Sequence, residues 1–380
     1  MIDDLDLESF EPVARIIVIG VGGAGSNAVN RMISDQITNV EFYVANTDKQ
    51  ALASSKAPGK NKIILGQSIT NGLGAGGEPQ VGRDAAESSE KEIREIIHGA
   101  NMVFIAAGMG GGTGTGAAPV IGKIAKEEGA LTVAIVTRPF TFEGDRKISY
   151  SVEGLNELKA NVDSLIVVSN DQLLINYGKA SLNDAFSEAD IVLSRSVKVV
   201  IDLIMSYGIM NLDFADVKNT LKDSGLAIIG YGEGRGERKA EEAAQNALRN
   251  EIAEQGIKGA RKAICRFITG INVSLYECHE ALNYIKQEAG GNLDLKMGLT
   301  ISPDVEPDEI ILSIIASKFE NEANFEVPKK PAPGDFDLFN MSRKQVVPQP
   351  QQEAPAQQQN NSGFDISTDD SIIPDFLKDL

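Results

Sequence analysis

The sequence predicts an α/β fold: an N-terminal doubly wound parallel sheet, a long central helix, a smaller C-terminal α+β domain and a disordered tail. Three observations predict it. Short apolar runs without polar alternation recur through the first 170 or so residues, as strands buried on both faces do. Glycine-rich turns and helical patterns follow them, the strand–helix rhythm of a doubly wound sheet. Past residue 320 the chain turns to Pro, Gln, Ala and Asn, which bury too little apolar surface to offset chain entropy.

The elements follow in order. Residues 1–12 are acidic, end at Pro12 and read as a flexible arm. Strands are expected at 15–20, 41–46, 62–65, 102–107, 131–136 and 164–169. Helices are expected at 26–32, at 83–97 with Ile93, Ile96 and Ile97 on one side, and at 117–128. Pro119 would sit in that last helix's first turn, where no N–H is needed. Residues 182–207 read as one long helix or two; 197–204 is apolar on most sides, as in a helix held between two layers. Beyond lie a strand at 227–229, a helix at 237–251, a strand at 263–269, a helix at 275–288 and strands at 293–301 and 310–316. The organisation is then an arm (1–12), a nucleotide-binding domain (13–182), a central helix (183–210), a C-terminal domain (211–320), a disordered linker (321–367) and a docking peptide (368–380). In that peptide Ile372, Ile373, Pro374, Phe376 and Leu377 interrupt a polar tail, as expected of a segment that orders on a partner.

Composition excludes several classes. Among 380 residues the net charge is −18, so a nucleic-acid coat protein or a broad basic membrane-binding face is not expected. Two cysteines, Cys265 and Cys278, make no disulfide scaffold, and two distant histidines, His98 and His279, make no usual zinc site or nucleophilic triad. No apolar run approaches the roughly 18 residues that span a bilayer, and the acidic start is no secretory signal. A cytoplasmic location is expected.

The chemistry lies in the glycines. Gly20-Val-Gly22-Gly-Ala-Gly25 has the G-x-G-x-x-G spacing between a strand and a helix, and alone suggests a dinucleotide site. Glu41 stands about 20 residues on, where a ribose-binding acid belongs. A second run, Gly108 to Gly116, holds six glycines in nine residues, against 37 in the 380-residue chain. A third, Gly72-Leu-Gly74-Ala-Gly-Gly77, precedes a helix near Val81. Three such loops, expected at strand–helix junctions on one sheet edge, suggest a triphosphate wrapped by peptide N–H groups. No G-x-x-x-x-G-K-[ST] is present, so the chain is not a Walker NTPase. Glu143 and Arg146 are candidates for ribose and phosphate, or a solvated surface pair. Asn170, Phe186 and Asp190 could read and stack on a purine, an Asp accepting two N–H groups that guanine offers. Asn211-Leu-Asp213-Phe-Ala-Asp216 sets two carboxylates three apart. Asp213 would be a helix N-cap, or the pair would position a water for attack on phosphate.

Together these residues resemble the tubulin/FtsZ family, the bacterial tubulin-like division GTPases, over about residues 13–317 and the last ten or so. The run at Gly108, the Asn211–Asp216 loop and the Ile373–Leu377 peptide carry the resemblance. It implies a tubulin-like fold, GTP/GDP and Mg2+, and hydrolysis that depends on polymerisation. Gly22, Gly23, Ala24 and Asn27 would line the phosphates, with Gly74, Ala75, Gly76 and Gly77. So would Gly108, Gly110, Gly111, Gly112, Thr113, Gly114 and Thr115. Asn46 and Asp48 would lie near the phosphates and a Mg2+ held mainly through phosphates and water, with no direct protein ligand. Glu143 and Arg146 would contact ribose and phosphate, and Asn170, Phe186 and Asp190 would hold guanine. Asn211, Asp213 and Asp216 would complete the site of the next subunit in a head-to-tail homopolymer, forming the cytokinetic ring at mid-cell. The terminal peptide would bind FtsA-, SepF- or ZipA-like tethers, with no direct membrane insertion and no nucleic acid. The rival readings are an NAD-dependent oxidoreductase, from Gly20 to Gly25, and a nucleotide-regulated scaffold without turnover.

Overall fold

The structure is a computed structural model. It describes residues 14–177, 182–205, 208–249, 256–320 and 324–327, and of 174–177 and 182–187 the backbone alone. The predicted arm, most of the linker and the docking peptide with Ile372, Ile373, Pro374, Phe376 and Leu377 lie outside the described residues.

The chain runs β1 (Ile16–Val21), α1 (Gly22–Ser34), β2 (Glu41–Asn46), α2 (Lys49–Ser54), β3 (Lys62–Ile64), α3 (Gln67–Thr70), α4 (Pro79–Ser88), α5 (Glu90–Ile97), β4 (Met102–Gly108) and α6 (Thr113–Glu127). It continues with β5 (Leu131–Arg138), α7 (Asp145–Asn161), β6 (Ser164–Ser169), α8 (Asn170–Tyr177), α9 (Leu182–Met205) and α10 (Phe214–Leu221). The last elements are β7 (Gly225–Arg235), α11 (Lys239–Leu248), β8 (Ala260–Thr269), α12 (Leu275–Ala289), β9 (Asp294–Ile301) and β10 (Glu309–Phe319).

The strands order as β3-β2-β1-β4-β5-β6-β7-β10-β8-β9. From β3 to β6 all pairs are parallel, the predicted doubly wound sheet. Successive residues of β1 feed opposite cores: Ile17, Ile19 and Val21 join α4 to α7 on one face, Ile16 and Val18 join α1 and α9 on the other. Burial on both faces is why these strands read as unbroken apolar runs. Val197, Val200 and Leu203 of α9 share a cluster with Val18 and Phe104 of the first sheet and with Ile264 and Ile315 of β8 and β10. The central helix is thus held between two layers. The second layer is β7, β10, β8 and β9, cored with α11 and α12. Its first strand starts beside β6, at Ser164↔Gly225 and Leu165↔Leu226, so the expected separate unit is stitched to the first sheet.

Several expectations are corrected. The helix expected at 83–97 is two helices, α4 and α5. The chain breaks at Ser89, whose Oγ accepts from the Gly66 N–H at 3.0 Å. The helix expected from 117 starts at Thr113, inside the glycine run, so Pro119 is interior and removes a helical hydrogen bond. Of the stretch at 182–207, read as one helix or two, Leu182–Met205 forms one helix. Asn170 follows a strand as read, directly after β6, and also opens helix α8. Order also passes the expected linker boundary at 321: Phe325 donates its N–H to Asn156 Oδ1 of α7 at 3.0 Å and accepts from Asn156 Nδ2 at 3.1 Å.

Candidate functional site

Strand order reverses between β1 and β4, which are neighbours despite the elements between them. Ligands of doubly wound sheets lie in the crevice at the carboxyl ends of such a pair. Those two ends carry the Gly20–Gly25 and Gly108–Gly116 runs. The two loops, and the one at Gly74–Gly77, meet at backbone distance. A Cβ on Gly108 would lie 2.7 Å from Ala24 Cβ, one on Gly22 3.0 Å from Gly114 N, and one on Gly112 2.9 Å from both Ala75 Cβ and Glu78 N. Side chains at these positions would force the loops apart. The third loop departs from expectation: it follows the short helix α3, not a strand. It is pinned through β2's end, where Gly74 N–H donates to Thr47 O at 3.2 Å. Thr47 Oγ1 in turn hydrogen-bonds Thr113 Oγ1 at 2.7 Å, and Gly110 N–H donates to Thr115 Oγ1 at 2.8 Å.

Other glycines have no such reason. A Cβ on Gly23 or Gly111 would meet nothing within 4 Å, and neither has positive φ. Their missing side chains leave peptide backbone open to whatever occupies the crevice. The helix starts agree. α1, α4 and α6 have no capping side-chain hydrogen bond and no acid in the first turn. Among helices of eight residues or more with described first turns, each other start has one or both. Three sets of unpaired N–H groups, each with partial positive charge, open beside these loops.

The remaining candidates are placed individually. Asn46 is buried, and its Oδ1 accepts from the Asp48 N–H at 3.3 Å. Asp48 caps α2 through Gln50 and Ala51. Glu143 and Arg146 do not pair with each other. Glu143 accepts from the Phe140 N–H at 2.9 Å and pairs with Lys147 at 2.8 Å. Arg146 pairs with Glu78, the residue before α4, and reaches Tyr150 Oη at 3.2 Å. Asn27 stands exposed on α1. Asn170 is buried, and its Oδ1 has no hydrogen-bond partner among the described residues. On α9, burial pushes the Asp190 carboxyl up to about 6, with partial relief from Arg31. Phe186 lies on α9, among the residues described by backbone alone. Glu41, the ribose acid of the dinucleotide reading, sits at the start of β2 in an ion pair with Arg15 at 2.7 Å. Parallel pairing with β1 places it at the sheet edge opposite the glycine loops.

Asp213 and Asp216 are also far from those loops. α9 carries the chain back across the sheet, a span of about 36 Å at 1.5 Å per residue. α10 then ends three residues before β7, which begins level with the start of β6. Asp213 caps α10 reciprocally: Asp216 N–H donates to Asp213 Oδ1 at 2.7 Å, and Asp213 N–H to Asp216 Oδ2 at 3.3 Å. The N-cap reading of Asp213 is thus borne out, and the water-positioning reading is compatible with it, since a cap also fixes where the carboxylates point. Asn211 accepts from the Gly208 N–H at 2.6 Å and closes the loop. Burial pushes the Asp216 carboxyl up, but an ion pair with Lys296 of β9 and the Asp213 N–H hold it below the usual range.

Sequence reasoning missed Thr47, Glu78 and Lys296. Thr47 lies between two named candidates and its spacing could have suggested it. Lys296 meets Asp216 across 80 residues, and nothing local marks it. An open groove of about 960 Å³, lined by Lys49, Gln67, Asn71, Lys91 and Glu92 among others, flanks β3 and takes in no glycine-loop residue. Among the described residues no group of three or more His, Cys, Asp and Glu could hold a metal ion, and no helix is long and apolar enough to cross a membrane.

Comparison with known proteins agrees with this geometry. The family model for the Tubulin/FtsZ family, GTPase domain, matches residues 15–178, and that for the FtsZ family, C-terminal domain, matches residues 225–320. The cell division protein FtsZ of Mycoplasmopsis pulmonis (strain UAB CTIP) is 48% identical over 320 residues, 84% of this chain and 81% of that protein. Among solved structures, an empty FtsZ dimer from M. jannaschii superposes with a TM-score of 0.73 at 37% identity, covering 83% of this chain and 95% of that one. CetZ2 from Haloferax volcanii, in a GTPgS-bound protofilament, shares the fold at 22% identity, with a TM-score of 0.69 over 82% of this chain and 95% of that one. A GTPase domain across residues 15–178 leaves the nicotinamide reading of Gly20 to Gly25 without support, as does the position of Glu41.

Proposed function

The chain belongs to the tubulin/FtsZ family of GTPases, and from that premise we propose that it hydrolyses GTP only within a filament of its own copies. The carrying observation is the meeting of three loops at three uncapped helix starts. Peptide N–H groups at Gly22, Gly23 and Ala24, at Ala75 to Gly77 and at Gly111 to Thr115 hold the phosphates, while Gly74, Gly108 and Gly110 shape the loops around them. Each helix start contributes about 0.3–1 kcal/mol, up to ~2 where partly buried, so no P-loop lysine is needed. Arg146 and Glu143 take the phosphate and ribose side, and Asn170, Phe186 and Asp190 the guanine. Asn46 and Asp48 would stand near a Mg2+ held mainly through the phosphates and water, and such an ion would neutralise charge on the phosphates.

Asp213 and Asp216 act on the neighbouring subunit's GTP. Their separation from their own subunit's loops supports this reading. Asp216, held ionised, orients the attacking water and accepts its proton. Apolar side chains stand exposed at both ends: Leu73 at 85% and Phe142 at 61% beside the phosphate loops, and Ile209, Met210, Ile271 and Leu275 toward the Asp213 end. Two different patches make a head-to-tail contact, which propagates as an open filament. In the cell the filament gathers at the mid-cell division site, through tethers that take the C-terminal peptide.

Phosphate release per subunit, followed with light scattering, tests the reading. It should rise steeply above a threshold protein concentration, with GTP and not GDP raising the scattering. Constant specific activity down to nanomolar protein would mean that one subunit suffices.

A further inference from the structure

The loop carrying the two aspartates lies along one face of β9 in register. A Cβ on Gly208 would sit 2.4 Å from Thr300 Oγ1, Leu212 packs within 3.1 Å of where a Gly298 Cβ would stand, and Asp216 pairs with Lys296. Thr300, Gly298 and Lys296 are alternate residues on one strand face. Backbone bonds Met210 N–H to Leu299 O at 3.1 Å and Leu299 N–H to Met210 O at 2.9 Å fix the same register. The Asp216 carboxylate is therefore tied at both oxygens, Oδ1 to Lys296 and Oδ2 to the Asp213 N–H.

We propose that Lys296 is a positioning residue for GTP hydrolysis, its ammonium fixing the Asp216 carboxylate in the orientation with which it meets the next subunit's nucleotide. This rests on the reading that Asp216 acts in trans. The other charged groups facing the pair are Asp213 and Asp294. Lys262 of β8 reaches only the far end of α10, at the Asn219 carbonyl, and Arg266 of β8 turns to the Asp202 carbonyl and Thr300. No second cation on these strands replaces Lys296 at Asp216. Without it, burial raises the Asp216 carboxyl and leaves the side chain one tether.

The test is steady-state phosphate release by the full chain above its polymerisation threshold, with GTP binding and sedimentable polymer measured alongside. Lys296→Met should lower turnover about tenfold, as misplacing a reacting group does, while GTP affinity and polymer mass hold. The acid limb of its pH–rate profile should move to higher pH, and Lys296→Arg should restore most of both. In an Asp216→Ala background, Lys296→Met should cost nothing further. Unchanged turnover in Lys296→Met, a loss that tracks lost polymer, or an equal loss in the Asp216→Ala background would each overturn the proposal. Full activity in Asp216→Ala alone would instead overturn the trans reading beneath it.

Discussion

Three helices of the nucleotide-binding half, α1, α4 and α6, begin in the opposite way to α10 and α12 of the C-terminal half. α10 and α12 open with reciprocal boxes, Asp213 with Asp216 and Ser274 with Glu277, which satisfy orphan N–H groups from within the chain. α1, α4 and α6 open with none. At α4 the residue in the cap position, Glu78, turns to Arg146 and Tyr150 instead. A cap contributes about 1 kcal/mol, so three missing caps are a standing cost in stability. On the proposed function these starts are kept for an external anion, whereas α10 and α12 satisfy their N–H groups from within the chain.

Supplying the missing charge should break the contrast most visibly. Gly23→Asp puts a carboxylate in the first turn of α1, where a Cβ meets nothing within 4 Å. It should raise the stability of the nucleotide-free chain by about 0.3–1 kcal/mol. It should weaken GTP binding on the order of a hundredfold or more, since unit charges 4 Å apart repel by about 4 kcal/mol at an effective dielectric near 20. Thermal melts and fluorescent-nucleotide titration read the two effects; unchanged GTP affinity would mean that α1 does not face phosphate. Removing a cap from the other half gives the smaller, opposite result: Ser274→Ala should cost about 1 kcal/mol of stability and leave GTP affinity untouched.

The acids repeat the contrast more gently. Asp216 is paired and low, whereas Asp190 is raised from its ordinary 3.8 to about 6 by burial, with partial relief from Arg31. A carboxyl raised on folding binds its proton more tightly in the native state. Its contribution to stability is complete below pH 3.8 and is gone once pH climbs past about 6. The nucleotide-free chain should lose stability across that window, and Asp190→Asn should flatten the loss in urea melts. An identical slope in the variant would assign the dependence to other groups.

The strands were legible because burial on both faces writes itself into sequence: residues 41–46 and 164–169 coincide with β2 and β6. The phosphate loops were legible as glycine runs, although their reasons differ. Gly108 and Gly112 let loops touch, while Gly23 and Gly111 leave backbone open. What failed was set at a distance. The break between α4 and α5 depends on Gly66 reaching Ser89. The early start of α6 depends on glycines that let it pass backbone closely, a Cβ on Gly116 falling 1.9 Å from Pro79 O. Glycine's poor helix propensity hides such a start. Lys296 could not be found from sequence, since its partner Asp216 stands 80 residues away in the chain.

The pair of hydrogen bonds between Phe325 and Asn156 has a mechanical consequence. Tension on the chain beyond residue 327 is borne first by those two bonds, so it loads α7 and not the final strand. Two residues earlier on α7, Gly154 lies so near Thr115 and Met109 that a Cβ there would fall 2.4 and 2.8 Å from their side chains. Load taken up at Phe325 is thereby carried through α7 to Thr115 and Met109, beside the glycine run that follows β4.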